Sequence, residues 1–150
     1  MTPHQRPRMP LRIMRAGDAD NVELIAEICR AAVVALPLVS WPDELSRADA
    51  PAIVHGYIGS RRYDEELGLQ VIRLPRAFVL DHSHDCKSSA IFAAALLNAA
   101  GYRVALRFIQ QSSRPWWSHV YCVADGLAVD PLLPLGQEAS RIASFDFFPA

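Results

Sequence analysis

Along the 150-residue chain, apolar positions recur first at helical spacing and only later at strand spacing. Val22, Ile25, Ile28, Cys29 and Ala32 fall on one helix face, which predicts a helix from about residue 18 to residue 36. Asp18 or Asp20 caps its start and Pro37 stops it. A loop around Trp41 and Pro42 follows. Pro51, whose fixed φ suits a first helical position, opens a second helix carrying Ile53, Val54, Tyr57 and Ile58. Residues 64–81 are the hardest to read. Gly68 and Pro75 break them, and 70–74 reads as a short strand.

From Asp85 onward the pattern sharpens. Residues 86–100 are rich in Ala and Leu, apolar nearly all round, and end at Gly101, a good C-terminal cap. A helix without a polar face belongs inside a domain, packed on more than one side. The period then changes. Tyr102, Val104, Leu106 and Phe108 alternate with Arg103, Ala105 and Arg107, as in a half-exposed strand. Residues 119–123 and 127–130 read as two short strands joined through Ala124-Asp125-Gly126, and Asp-Gly between apolar runs signals a hairpin. Residues 142–148 add an edge strand. The expected architecture is α+β, with N-terminal helices and one buried helix packed on an antiparallel sheet. Residues 1–16, where Arg6, Arg8, Arg12 and Arg15 interleave with Pro3, Pro7 and Pro10, read as a flexible N-terminal arm, and 17–150 as a single domain.

Composition narrows the function classes. Hydrophobic residues make up 51% of the chain, enough to supply the core of one domain. Fifteen basic residues against 16 acidic ones leave a formal net charge of -1, so neither nucleic acid nor an anionic membrane is an expected partner. No apolar stretch is long enough to cross a bilayer; the longest, residues 31–39, contains Pro37. With no basic-then-apolar leader at the N-terminus, a cytoplasmic location is expected. The three cysteines, Cys29, Cys86 and Cys122, are odd in number and lack C-x-x-C spacing, which suits reduced thiols.

One of these thiols has a special place. Cys86 begins the buried helix directly after Asp85, a fitting N-cap. Unpaired N–H groups and the dipole at a helix start favour a negative charge, and the thiolate is the nucleophilic form of cysteine. A small apolar residue in a packed helix would explain Cys86 equally well if it stood alone. The hairpin tips the balance. With Asp125-Gly126 as a two-residue turn, Ala124 pairs with Leu127, Val123 with Ala128, Cys122 with Val129, and Tyr121 with Asp130. His119 and Tyr121 share a face, and Asp130 lies on it diagonal to His119, roughly 7–8 Å away at the backbone. In a catalytic reading, Asp130 orients the imidazole of His119, which takes the thiol proton of Cys86 and later protonates the leaving group. In the bland reading, His119 is a locally satisfied interior histidine and Asp130 a strand-end residue bonding the turn before Pro131.

Asp85-Cys86, the helix through Leu96-Leu97-Asn98-Ala99-Ala100-Gly101-Tyr102, then Ser118-His119-Val120-Tyr121 and Val129-Asp130-Pro131 together resemble the transglutaminase-like superfamily, in its compact bacterial and phage form. The resemblance covers about residues 70–133. It implies a papain-like fold, with Cys86 as nucleophile, His119 as general base and acid, Asp130 as orienting carboxylate, a peptide or protein amide as substrate, and no cofactor. It also makes the upstream side chain of Gln70 a candidate second oxyanion donor beside the backbone N–H of Cys86. The family usually has Gly before the Asp-Cys pair and acidic residues after it, whereas this chain has His84, then Lys87, Ser88 and Ser89.

Trp116 and Trp117, just before His119, are candidates for a cleft wall. A metal site built from His82, His84, Asp85, Cys86, His119 and Cys122 is disfavoured. His119 and Cys122 face opposite sides of a strand, and His82 with His84 lacks a second ligand pair at familiar spacing. Water as acceptor makes the protein a peptidase or amidase, which is the favoured expectation; an amine acceptor makes it a cross-linking transglutaminase. A non-catalytic binding or assembly module on the same fold is the remaining alternative, docking through the arm or the apolar end at Phe145, Phe147 and Phe148.

Overall fold

Proline placement and apolar spacing shape the first half of the chain. The computed structural model describes residues 12–15, 22–63, 69–81, 83–112 and 117–150, without the side chains of 12–15, 69–71 and 83. Strand β1 (Arg12–Arg15) comes first, then helix α1 (Val22–Ala35), which buries Ile28, Ala32 and Ala35. Val22, placed on the apolar face by its spacing, is exposed instead. Pro37 turns the chain into a single 3₁₀ turn, Leu36–Leu38. The expected caps Asp18 and Asp20 lie outside the described residues. Helix α2 (Ala50–Ser60) carries Pro51 in its first turn, where a missing N–H costs nothing, and buries Val54 and Ile58.

Strand β2 (Arg62–Tyr63) is followed by β3 (Leu69–Ile72), which pairs antiparallel with β1. Part of the stretch read as a flexible arm, residues 12–15, is therefore paired strand; residues 1–11 and 16 lie outside the described residues. Pro75 opens helix α3 (Pro75–Leu80) rather than ending an element, because proline is tolerated at a helix start. A two-residue strand, β4 (Ser83–His84), pairs parallel with β2. Neither the short helix nor this strand pair was expected; both are too short to carry a period.

Helix α4 (Cys86–Ala99) is the centre of the molecule. Ten of its residues, from Lys87 to Ala95 and Leu97, are buried. Its C-terminal end turns at Gly101, whose φ of 99° is a conformation that glycine adopts without a Cβ clash. The chain then returns as β5 (Val104–Gln110), β6 (His119–Ala124), β7 (Leu127–Val129) and β8 (Ala143–Phe147). These form a four-stranded antiparallel sheet in the order β7-β6-β5-β8. The β6–β7 register is Cys122 with Val129, Val123 with Ala128 and Ala124 with Leu127, as the Asp-Gly turn requires, but the ladder ends at Val129 and the expected Tyr121–Asp130 pair is not part of it. Asp125 and Gly126 both have positive φ, 47° and 83°, the signature of a primed hairpin turn. The result is a mixed helix-and-sheet architecture of α+β character.

One face of the sheet, Val104, Leu106, Phe108, Val120, Cys122, Ala124 and Val129, joins α4 and the other helices in a single apolar core. The opposite face is not the solvated one expected of β5. Ala105 and Ile109 are buried too, and Ile109, Tyr121, Val123 and Ala128 make a second small cluster with Ala139 against it. Residues 131–142 cross that face, tied down by the Gly136 N–H to the Ala128 carbonyl at 2.9 Å. Arg107 is the polar exception on this face of β5. It bonds Asp146 on β8 through Nε and Nη2, and Glu138 on the crossing segment through Nη1.

Candidate functional site

Chain direction brings the candidate residues to one end of the sheet. Helix α4 has 14 residues and β5 has 7, so both are about 21–23 Å long. The helix runs one way, Gly101 reverses the chain, and β5 ends beside the helix start. Antiparallel pairing then places the beginning of β6 and the end of β7 at that same end. These are the positions of Cys86, His119 and Asp130.

Cys86 occupies the first position of α4 and is partly accessible. Asp85 caps the helix as its position implies, with Oδ1 accepting from the Ser88 N–H at 3.2 Å. Its other oxygen pairs with the ammonium of Lys87. Lys87 is only 4% exposed and belongs to a buried ion pair bracketing Cys86. Ser88 and Ser89 are used as well. Ser88 Oγ accepts from the Arg73 N–H at 3.0 Å, and Ser89 Oγ donates to the Cys86 carbonyl at 3.2 Å. Lys87, Ser88 and Ser89 thus lock the helix start in place.

His84, just before the Asp85 cap, is buried. Its ring packs on Phe78 with centroids 4.6 Å apart and meets Tyr63 edge-on. Its Nε2 lies 3.2 Å from the Ile58 carbonyl of α2 and its Nδ1 3.3 Å from the Asp85 carbonyl. Burial lowers its pKa, against the hydrogen bonds to those two carbonyls and the charge of Asp85.

His119 is the first residue of β6, with a side chain 8% exposed. Its Nε2 lies 2.7 Å from Oδ2 of Asp130, and the ring also hydrogen-bonds with Cys86, which leaves Nδ1 for the sulfur. Burial opposes charge on this ring. The hydrogen bonds to Asp130 and Cys86, with their electrostatic attraction, outweigh it and push His119 up from 6.5 to about 10. Asp130 is 1% exposed. Its Oδ1 accepts from the Leu132 N–H at 3.0 Å, so both carboxylate oxygens have fixed partners.

The three residues singled out from the sequence therefore lie together, with His119 interacting with both Cys86 and Asp130. Gln70 lies in β3 opposite Met14, and its side chain is outside the described residues. Trp117 is partly buried against the core and meets Phe145 edge-on at 4.9 Å, which makes it part of the packing; Trp116 and His82 are outside the described residues. Among the described residues no group of three His, Cys, Asp or Glu side chains is gathered in a way that would hold a metal ion. Nor, among them, is any helix long and apolar enough to cross a membrane.

Two groups around the site were not foreseen. Tyr121, fully buried next to His119 with ring centroids 5.6 Å apart, donates its hydroxyl to Glu138. His55 on α2 reaches the carbonyls of Asp130 at 3.1 Å and Leu133 at 2.7 Å. The Tyr121 partner comes from an irregular segment and the His55 contact spans 75 residues, so no spacing signals either. Comparison of the chain with protein-family models, with curated proteins and with solved structures returns no match.

Proposed function

We propose that the protein is a cysteine-nucleophile acyl-transfer enzyme that uses Cys86, His119 and Asp130 to hydrolyse a peptide or amide bond through a thioester. The observation that carries this reading is the imidazole of His119 bonded on one side to Cys86 and on the other to a buried carboxylate. A histidine serving only the fold needs one satisfied partner; this one links a thiol at a helix start to a carboxylate whose second oxygen is already occupied. The order of the three groups, on a central helix, a strand and the residue that follows its neighbouring strand, also fits the transglutaminase-like arrangement and its papain-like fold.

In this reading the Cys86 sulfur attacks the substrate carbonyl carbon, while its proton resides on His119. The tetrahedral oxyanion is met by the backbone N–H of Cys86 at the helix start, with Gln70 as the proposed second donor. His119 then gives its proton to the leaving amine as the C–N bond breaks, and a thioester remains. A water molecule, losing a proton to His119, attacks the thioester; the acid leaves and the proton returns to sulfur. Asp130 keeps Nε2 protonated and the ring aimed through both steps.

Incubation with an activated acyl ester or a peptide electrophile, read by intact-protein mass spectrometry, tests the reading. The wild type is expected to gain one acyl group that disappears with time, and Cys86→Ala none. Equal adducts on both proteins would sink the assignment. An adduct released only when an amine is added would make the acceptor an amine and the activity cross-linking.

A further inference from the structure

The groups beside the site that its chemistry leaves unused converge on helix α2. Nε2 of His55 has two partners, the carbonyl oxygens of Leu133 and Asp130 at 2.7 and 3.1 Å. Both can only accept, so Nε2 carries a hydrogen and donates it to the pair. Those carbonyls bound the turn 130–133, which the Leu133 N–H closes onto the Asp130 carbonyl at 3.2 Å. The same turn supplies the Leu132 N–H that fixes Oδ1 of Asp130, leaving Oδ2 to His119. The orientation of the carboxylate thus depends on the turn, and His55 ties the turn to a helix. The contact surface is close: a Cβ on Gly59, one helical turn along, would lie 3.9 Å from the Pro131 carbonyl oxygen.

The other end of the same helical turn faces the nucleophile. The carbonyl of Ile58, three residues after His55, lies 3.2 Å from Nε2 of His84, two residues before Cys86. Residues 55–58 of α2 thereby touch both the turn bearing Asp130 and the strand that leads into Cys86. A packed helix contacting two otherwise separate segments fixes their spacing, and a misplacement near 1 Å in such a constellation can cost on the order of a hundredfold in rate.

We propose that His55 is a positioning residue, holding the 130–133 turn so that the Asp130 carboxylate is aimed at His119. This rests on the acyl-transfer reading above, and the test separates the two. Imidazole ¹⁵N and ¹H resonances of the wild type are expected to show His55 as the Nε2–H tautomer; the Nδ1–H tautomer would overturn the proposal without any variant. The His119 midpoint is then compared in wild type, Asp130→Asn, His55→Ala and His55→Gln, with folding checked by circular dichroism. Asp130→Asn is expected to lower the midpoint from about 10 toward 6.5, and His55→Ala to follow at least half-way. His55→Gln, whose amide can still donate to both carbonyls, stays near the wild type. Alkylation of Cys86 slows by roughly ten- to a hundredfold in His55→Ala and recovers in His55→Gln. A folded His55→Ala protein with the wild-type midpoint and rate contradicts the proposal. A wild-type Cys86 no more reactive than Cys29 sinks the acyl-transfer reading instead, while the midpoints still report whether His55 positions Asp130.

Discussion

Cys86 and Cys122 are the same residue type in opposite surroundings, and the contrast explains why only one is a candidate nucleophile. Cys122 stands in the middle of β6, wholly buried and turned toward α4, among Leu106, Ala124 and Val129. Burial alone drives its pKa far up, so the thiol behaves as a small apolar side chain. Cys86 starts a helix at the accessible end of the same core, with an imidazole beside it and a capped, ion-paired neighbour on either side. Cys29 lies between the two. It lines a shallow apolar groove of about 490 Å³ with Val33, Val34 and Phe147, and burial pushes it up to about 11 against the pull of Arg30. Position relative to the core, more than chain neighbours, sets the chemistry of each thiol.

Replacing each sulfur by oxygen breaks the comparison most sharply. Cys86→Ser is expected to abolish acyl-adduct formation and to change stability by less than about 0.5 kcal/mol, because the residue is only partly buried. Cys122→Ser does the reverse, keeping the adduct and lowering stability by about 1–3 kcal/mol for burying a hydroxyl in the core. Urea unfolding and adduct mass on the two variants read both halves; a Cys122→Ser protein as stable as wild type would contradict the packing argument.

A smaller effect follows from pH. The folded-state pKa of His119 is raised, from 6.5 to about 10, so the protonated ring contributes stability that is full below 6.5. That contribution is lost as pH rises through 10. The stability difference between wild type and Asp130→Asn is therefore expected to be widest near pH 6 and to shrink steadily toward pH 10. A gap that is flat across this range means that no charged pair forms between His119 and Asp130.

The contrast also shows what could be read from the residues alone. The hairpin register and the meeting of His119 with Asp130 were legible because Asp125-Gly126 demands positive φ at two adjacent positions, and that turn dictates every pairing after it. Helix α4 was legible because an apolar run ending in glycine has few alternatives. The covered outer face of β5 was not, since the segment 131–142 that buries Ile109 and Tyr121 has no period and is held by isolated contacts such as that of Glu138 with Tyr121. The burial of Lys87 was not legible either, since it depends on the pairing with Asp85 under the core. The contacts of His55 and His84 gave no signal, because the Leu133 and Ile58 carbonyls they meet come from distant segments.

Cysteine-resolved alkylation of the native protein, followed by peptide mass spectrometry, tests the central claim most directly. Cys86 is expected to react with iodoacetamide well ahead of Cys29 and Cys122, and to lose that lead in His119→Gln. Equal, slow labelling of all three thiols, or a lead that survives without the imidazole, would contradict it.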